Sequence, residues 1–298
     1  MLQILKKTDK ENFMKDLIIS LESTCDLTPE LLKKYELSQI DMSFFVDGNE
    51  YTTETDSVVS SGLYEKMKSG KKTSTSQINS ETYAEFFEKL LAQNKPILHI
   101  AFSSGLSGTY HAACQAAELL NKTHENKIVV VDSLCACGGH GLLAILTREF
   151  SKSSKSIDEV VSFVEDLKTK LNHTFTVDNL KYLANGGRLK ASSAFVGNLL
   201  NIKPVLKVDE NGKLVVTQKT IGRKCAINQM FNIYKKNRAE NSDICIISHA
   251  NCLNDANTLA SMIEKEYGIT PIITDLGPII GCHSGPGTLA HFYVGKTK

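Results

Sequence analysis

Four stretches gather side chains able to hold an anion or attack a carbonyl, and a fifth offers soft metal ligands. FSSGLSGTYHAACQAAELL (102–120) sets Ser103, Ser104, Ser107 and Thr109, with two glycines, between an apolar run and an alanine-rich helical pattern. Free backbone N–H groups and the positive end of a helix attract negative charge, and hydroxyls add donors without formal charge. A plain helix cap with flexible glycines accounts for the same residues. GLSGT also approaches a nucleophile elbow, although Thr109 stands where that motif has glycine. A serine hydrolase would draw on Ser107, His283 and Asp132. GCHSGPGT (281–288) places His283 in a turn after an apolar run, where it either faces a cleft or bonds to backbone. Arg188 in NGGRLK and Arg223 in TIGRK sit beside glycines, a setting for phosphate or carboxylate recognition and equally for an ordinary surface arginine. SLCACGGH offers Cys135, Cys137 and His140 as soft ligands, but the second cluster that structural zinc wants does not follow, so packing of small residues is the better account.

The chain of 298 residues has room for two closely packed lobes. Its 34 Lys and Arg against 33 acidic residues leave a net charge of +1, which provides no field for nucleic acid or an anionic membrane. The eight cysteines show no disulfide-like spacing and the first residues lack the apolar stretch of a signal peptide, so a cytoplasmic setting is expected. The longest apolar tract, 128–147, is broken by Asp132 and a glycine pair and reads as strand, turn and buried helix, not as an integral membrane segment.

The elements that must position these residues follow from periodicity. Residues 16–35 read as a buried strand, a polar turn and a helix capped by Thr28 with Pro29 at its first position. Residues 96–120 and 127–150 repeat that order, and such alternation predicts a parallel sheet covered on both faces. Between the first of these units and the second, two helices flank a Lys/Ser/Thr loop expected near the sheet's carboxyl ends. A polar helix is predicted from about 156 to 171. Beyond it, DENG turns between PVLKV and KLVVTQ as a hairpin, and 243–250 and 270–295 are strand-like. The fold class is α/β in two lobes: an N-terminal parallel-sheet lobe (15–170) and a C-terminal α+β lobe with a mixed sheet (171–298).

STCDLTPELL, TSTSQ, SSGLSGTY, VVDS followed by GGHG, NGGRLK, GNLLNIKPVL, GRK and HSGPGT, in this order over about 16–294, resemble the DegV family of bacterial fatty-acid-binding proteins, which includes the binding subunit of fatty acid kinase. The resemblance implies one long-chain fatty acid between the lobes, its carboxylate held by Thr75, Ser76, Ser107 and His283. A protonated His283 would help to offset the cost of burying that carboxylate. Gln77 fixes the register within TSTS in favour of Thr75 and Ser76. It further implies a non-catalytic, monomeric carrier without cofactor or metal, which presents the acid to a separate ATP-using kinase subunit, with Arg188 and Arg223 near the head group and docking surface. No P-loop or kinase signature appears in the sequence. A regulatory module without lipid is the remaining alternative. The chain departs from the family pattern at Glu22, where Asp is usual, and at Ile78, where Pro is common. Residues 1 to about 14 lie outside the resemblance, which leaves Met14 as an alternative start.

Overall fold

The computed structural model describes residues 17–59, 62–125, 127–154, 156–189 and 201–298; Met14, Lys190 and the first four residues of GNLLNIKPVL lie outside the described residues. Apolar runs and Ser/Gly turns build the first half. β1 (Ile18–Glu22) passes through a 3-10 turn (Ser23–Cys25) to α1 (Pro29–Lys34) and β2 (Leu37–Ile40). Thr28 caps α1, its hydroxyl accepting the Leu31 N–H at 3.4 Å, with Pro29 in the first turn as the sequence predicts. Then come β3 (Ser43–Val46), β4 (Asn49–Thr52), α2 (Leu63–Lys68), β5 (Thr73–Thr75), α3 (Ser80–Leu91), β6 (Ile97–Ala101), α4 (Thr109–Leu120), β7 (Ile128–Asp132), α5 (Cys137–Ser151) and α6 (Ile157–Lys168). The second half runs β8 (Leu171–Thr176), α7 (Lys181–Asn185), β9 (Ile202–Val208), β10 (Leu214–Ile221), α8 (Arg223–Asn237), β11 (Cys245–His249), α9 (Leu253–Tyr267), β12 (Ile272–Asp275), α10 (Pro278–Ser284) and β13 (Leu289–Val294).

The strands form a parallel sheet, β2-β1-β6-β7, and a mixed sheet, β10-β9-β8-β13-β11-β12, so the protein has the expected α/β fold. In the mixed sheet only β11 and β12 pair in parallel. A third, antiparallel sheet, β4-β3-β5, was not legible in the sequence, and its strand β5 lies inside the stretch read as a Lys/Ser/Thr loop. The stretch 270–295 is likewise more than strand: α10 interrupts it, with Pro278 at its first position and His283 in its last turn.

In the parallel sheet the chain moves outward from β1 to β2 and later returns to β6 on the other side of β1. The carboxyl ends of β1 and β6 therefore flank a switch point, where open α/β sheets leave a crevice. Both strands are buried throughout, as expected of central parallel strands.

Helix α5 packs against the parallel sheet's end on one side and β8, β11 and β13 on the other. Its residues Cys137 to Ile145 are all buried. Glycines make that approach feasible: a Cβ on Gly141 would stand 2.7 Å from the Leu27 side chain and 2.8 Å from the Cys25 carbonyl, and one on Gly139 would collide with the His173 ring. At the other end of α5 the buried Arg148 guanidinium donates to the Leu17, Tyr35 and Glu36 carbonyls at 3.0, 3.0 and 2.9 Å.

Asp26 closes the 3-10 turn in a left-handed conformation (φ 53°) and is buried against the N-termini of α5 and α10. Neither carboxylate oxygen meets hydrogen-bond geometry, although the Cys137 thiol and the Gly277 N–H lie close. Burial therefore pushes its pKa up to about 7.

Two outcomes follow from this packing. Gly139→Ala overfills the gap beside His173 and should cost about 1–3 kcal/mol, read as a lower urea midpoint at unchanged slope. Asp26 ionises in the unfolded chain at about pH 4 and in the folded protein at about 7. Between those values the unfolded state holds fewer protons, so stability falls as pH rises, at roughly 1.4 kcal/mol per unit, and then levels off about 4 kcal/mol lower. Asp26→Asn should remove that slope, so that variant and wild type diverge in denaturation midpoint between pH 4 and 7.

Candidate functional site

The crevice between the sheets holds a cavity of about 340 Å³, within the range of small-molecule sites. Most of its wall is apolar: Phe102, Phe175, Phe292, Leu276, Ile279 and Val208 all contribute. Both halves of the chain supply wall residues, and Ala136 and Cys137 add the N-terminal end of α5.

Polar residues collect together. Thr75, Ser76, Gln77, Ser107, Arg188 and His283 all line the cavity. Thr75 ends β5, and its hydroxyl lies 2.8 Å from His283 Nε2 on α10. Thr73, on the same face of the strand, instead donates to the Cys282 carbonyl at 3.0 Å, while Ser74 is exposed. Gln77, read from sequence only as a register marker, lies against Gly108, where a Cβ would stand 2.5 Å from its Oε1. Ser107 Oγ shares a 2.6 Å hydrogen bond with Thr109 Oγ1 and accepts the Thr109 N–H at 3.3 Å, which fixes it at the start of α4. Arg188 follows α7 and reaches back, donating through Nε to the Leu106 carbonyl at 3.2 Å and through Nη1 to the Gly186 carbonyl at 2.5 Å.

The electrostatics correct one expectation. Burial, and next to it the Arg188 cation, push the His283 pKa down to about 4, so the ring is neutral at pH 7 and not an imidazolium. Burial also lowers the Arg188 pKa, but a guanidinium starts so high that it remains a cation. Among the described residues the result is five hydroxyl, amide or imidazole groups and one backbone-tethered positive charge gathered on the wall of a mostly apolar space.

Arg223 does not join this group. It begins α8, where Nε donates to Asp255 Oδ2 at 2.9 Å and Nη2 to Cys252 Sγ at 3.4 Å, and it is absent from the cavity wall. Its glycine neighbour gave the same sequence signal as that of Arg188, and only the fold separates them.

The hydrolase constellation does not assemble. His283 Nε2 is engaged with Thr75, Ser107 Oγ with Thr109, and Asp132 Oδ1 accepts the Ser104 and Leu134 N–H groups, both at 3.1 Å. Nor do the soft ligands of SLCACGGH converge: His140 faces Thr24 Oγ1 at 3.3 Å and the Ile100 carbonyl at 2.7 Å, while burial keeps the Cys137 thiol protonated. Among the described residues no cluster of three or more His, Cys, Asp or Glu is placed to hold a metal, and no helix is long and apolar enough to cross a membrane.

A family model described as an uncharacterised protein of the DegV family matches residues 17–296. A DegV domain-containing protein of Clostridium perfringens is 40% identical over 289 residues, covering 96% of this chain and 99% of the relative. One of Streptococcus pyogenes serotype M3 is 37% identical over 283 residues, covering 94% and 98%. Among solved structures, a DegV lipid binding protein of Thermotoga maritima superposes with TM-score 0.83 at 28% identity, covering 95% of this chain and 99% of that one. A second Thermotoga maritima protein, described as revealing fatty acid binding function, superposes with TM-score 0.81 at 28% identity, covering 94% and 99%. With the model spanning nearly all described residues and relatives matched end to end, the chain belongs to the DegV family.

Proposed function

We propose that the protein binds one long-chain fatty acid in this cavity, between a lobe of residues 15–170 and a lobe of 171–298. The hydroxyls of Thr75, Ser76 and Ser107 and the neutral His283 hold the carboxylate, and the apolar wall takes the tail. The observation that carries this reading is the clustering of the hydroxyls of Thr75, Ser76 and Ser107 with His283 on the wall of a mostly apolar cavity. The descriptions of the two Thermotoga maritima structures as lipid binding and fatty acid binding support the same ligand class.

Affinity and register come from different parts of the ligand. Each buried methylene contributes about 0.8 kcal/mol, so a tail of ~14 offers roughly 11 kcal/mol before ordering costs. The head group costs several kcal/mol to desolvate unless it is hydrogen bonded, which the hydroxyl cluster offsets. The protein is then a carrier and not itself an enzyme. It presents the carboxylate to a separate ATP-using kinase subunit, where a carboxylate oxygen attacks the γ-phosphorus, the acyl phosphate forms and ADP leaves. Neutral donors suit that step, because they do not pair the attacking oxygen with a full positive charge. Arg188 lies beside the head group, its Nε and Nη1 engaged with backbone carbonyls, and Arg223 belongs to the outer face that the partner meets. The carrier works as a cytoplasmic monomer.

Native mass spectrometry of the purified protein, with extraction of the bound molecule, tests the reading. A single fatty acid near one per chain is the expected result. A lipid-free protein that also refuses added oleate and palmitate overturns it. Ser107→Ala should weaken binding of the acid roughly tenfold, the loss of one hydrogen bond to a charged group, and should leave the methyl ester of the same acid nearly unaffected.

A further inference from the structure

Beneath the polar end of the cavity lies a carboxylate that the proposed binding reaction does not touch. Glu22 is the last residue of β1, at the switch point of the parallel sheet, and is 0% exposed. Its Oε1 accepts the Tyr83 hydroxyl at 2.5 Å and lies 3.3 Å from His99 Nε2; its Oε2 accepts the Phe102 N–H at 2.9 Å. His99 is held in turn by Ser20, its register partner across β1 and β6, with Oγ 3.0 Å from Nδ1. His140 approaches from α5, with Nε2 3.8 Å from Oε2.

The two firmest donors adjoin the two segments that carry the hydroxyls, Phe102 within one and Tyr83 in the helix that follows the other. Tyr83 sits in the first turns of α3, just beyond the Thr75-Ser76-Gln77 segment, and that helix start is fixed by Asn79 Oδ1 accepting the Thr82 N–H at 2.8 Å. Phe102 opens the loop that ends at Ser107, and the loop is wound tightly: the Leu106 and Ser107 N–H groups both donate to the Ser103 carbonyl, at 3.0 and 3.2 Å. A shift at Phe102 is therefore passed to Ser107, and a shift at Tyr83 to the segment before α3. We propose that Glu22 is a positioning residue for the carboxylate end of the cavity, setting the Thr75-Ser76 loop and the Ser107 loop at a fixed separation through Tyr83 and Phe102. This rests on the fatty-acid reading of the site.

The chemistry of the hub fits that task. A buried carboxylate is expensive, and an apolar residue would fill the same space at lower cost if packing were its only duty. Two oxygens with fixed lone-pair directions instead define the relative placement of two donors, the tolerance that a binding constellation needs. Glutamine is a weaker replacement: its single oxygen can accept the Phe102 N–H, but its NH2 then meets Tyr83 only if that hydroxyl turns to accept, and the charge that strengthened both hydrogen bonds is gone.

The test compares palmitic acid with hexadecanol, ligands of equal tail and different head, by displacement of a fluorescent fatty acid from wild type, Glu22→Gln and Tyr83→Phe. Wild type is expected to prefer the acid. Both variants should narrow the acid-to-alcohol ratio about tenfold while alcohol affinity stays within twofold, and Tyr83→Phe gives the answer if Glu22→Gln does not fold. A purely structural role would weaken both ligands together, and that result, or an unchanged ratio, overturns the proposal. A wild type that binds neither ligand overturns the fatty-acid reading itself, and this proposal falls with it.

Discussion

The packing of one helix between two sheets is the constraint on which the site depends. α5 meets the parallel sheet's end on one face and strands of the mixed sheet on the other, so it has no face on which to carry charge along its first two turns. CGGHGLLAI answers that demand with glycines where backbone approaches closest and aliphatics elsewhere, and its one strongly polar side chain, His140, is hydrogen bonded at both ring nitrogens. Because α5 fills the space between the sheets along its length, the space left open is beyond its N-terminal end, on the carboxyl side of the parallel strands. The cavity is there, and Ala136 and Cys137 form part of its wall.

The loop after β1 shows how environment alone assigns charge. Glu22 and Asp26 are four residues apart and both buried. Burial would raise the Glu22 pKa, but the His99 and His140 rings and the hydrogen bonds it accepts more than offset this and hold it at about 2. Asp26 lacks such partners, and burial takes it to about 7. The same desolvation thus yields a fixed anion at one position and a group poised to titrate at the other, the difference being the donors each can reach. The ionised one lies under the hydroxyl loops, where a constant hydrogen-bond pattern keeps their spacing constant.

What the sequence made legible was what local pattern encodes. Val/Ile runs marked β1, β6 and β7, Thr28-Pro29 marked a helix start, and DENG marked the turn between β9 and β10. The small β4-β3-β5 sheet escaped because NEYT and TST are short, polar and held by partners across the chain, not by alternation. α10 escaped because its seven residues are too few for helical periodicity to emerge from an apolar run, although Gly277-Pro278 carried the start signal. At the site, the resemblance pointed to Thr75, Ser76, Ser107, Arg188 and His283, which the fold brings to one cavity. Arg223 carried an equal local signal and lies elsewhere. The Glu22 hub was noticed only as a departure from pattern, since its donors Tyr83 and Phe102 are 61 and 80 residues away.

The charge state of the polar end follows from burial and neighbours together, and it bears on what that end can hold. His283 is kept neutral because the same burial that strips its water also places it beside a cation. Arg188 cannot give up that cation's proton near neutrality, and two backbone carbonyls hold it in place. Among the described residues, positive charge at this end is therefore single, tethered and insensitive to pH near 7. Such an end favours an anion over a neutral head group without enclosing it in a bidentate ion pair, while the hydroxyls supply direction. A site of this kind discriminates by hydrogen-bond geometry more than by total charge, and that places the burden of specificity on whatever keeps the hydroxyl loops in register.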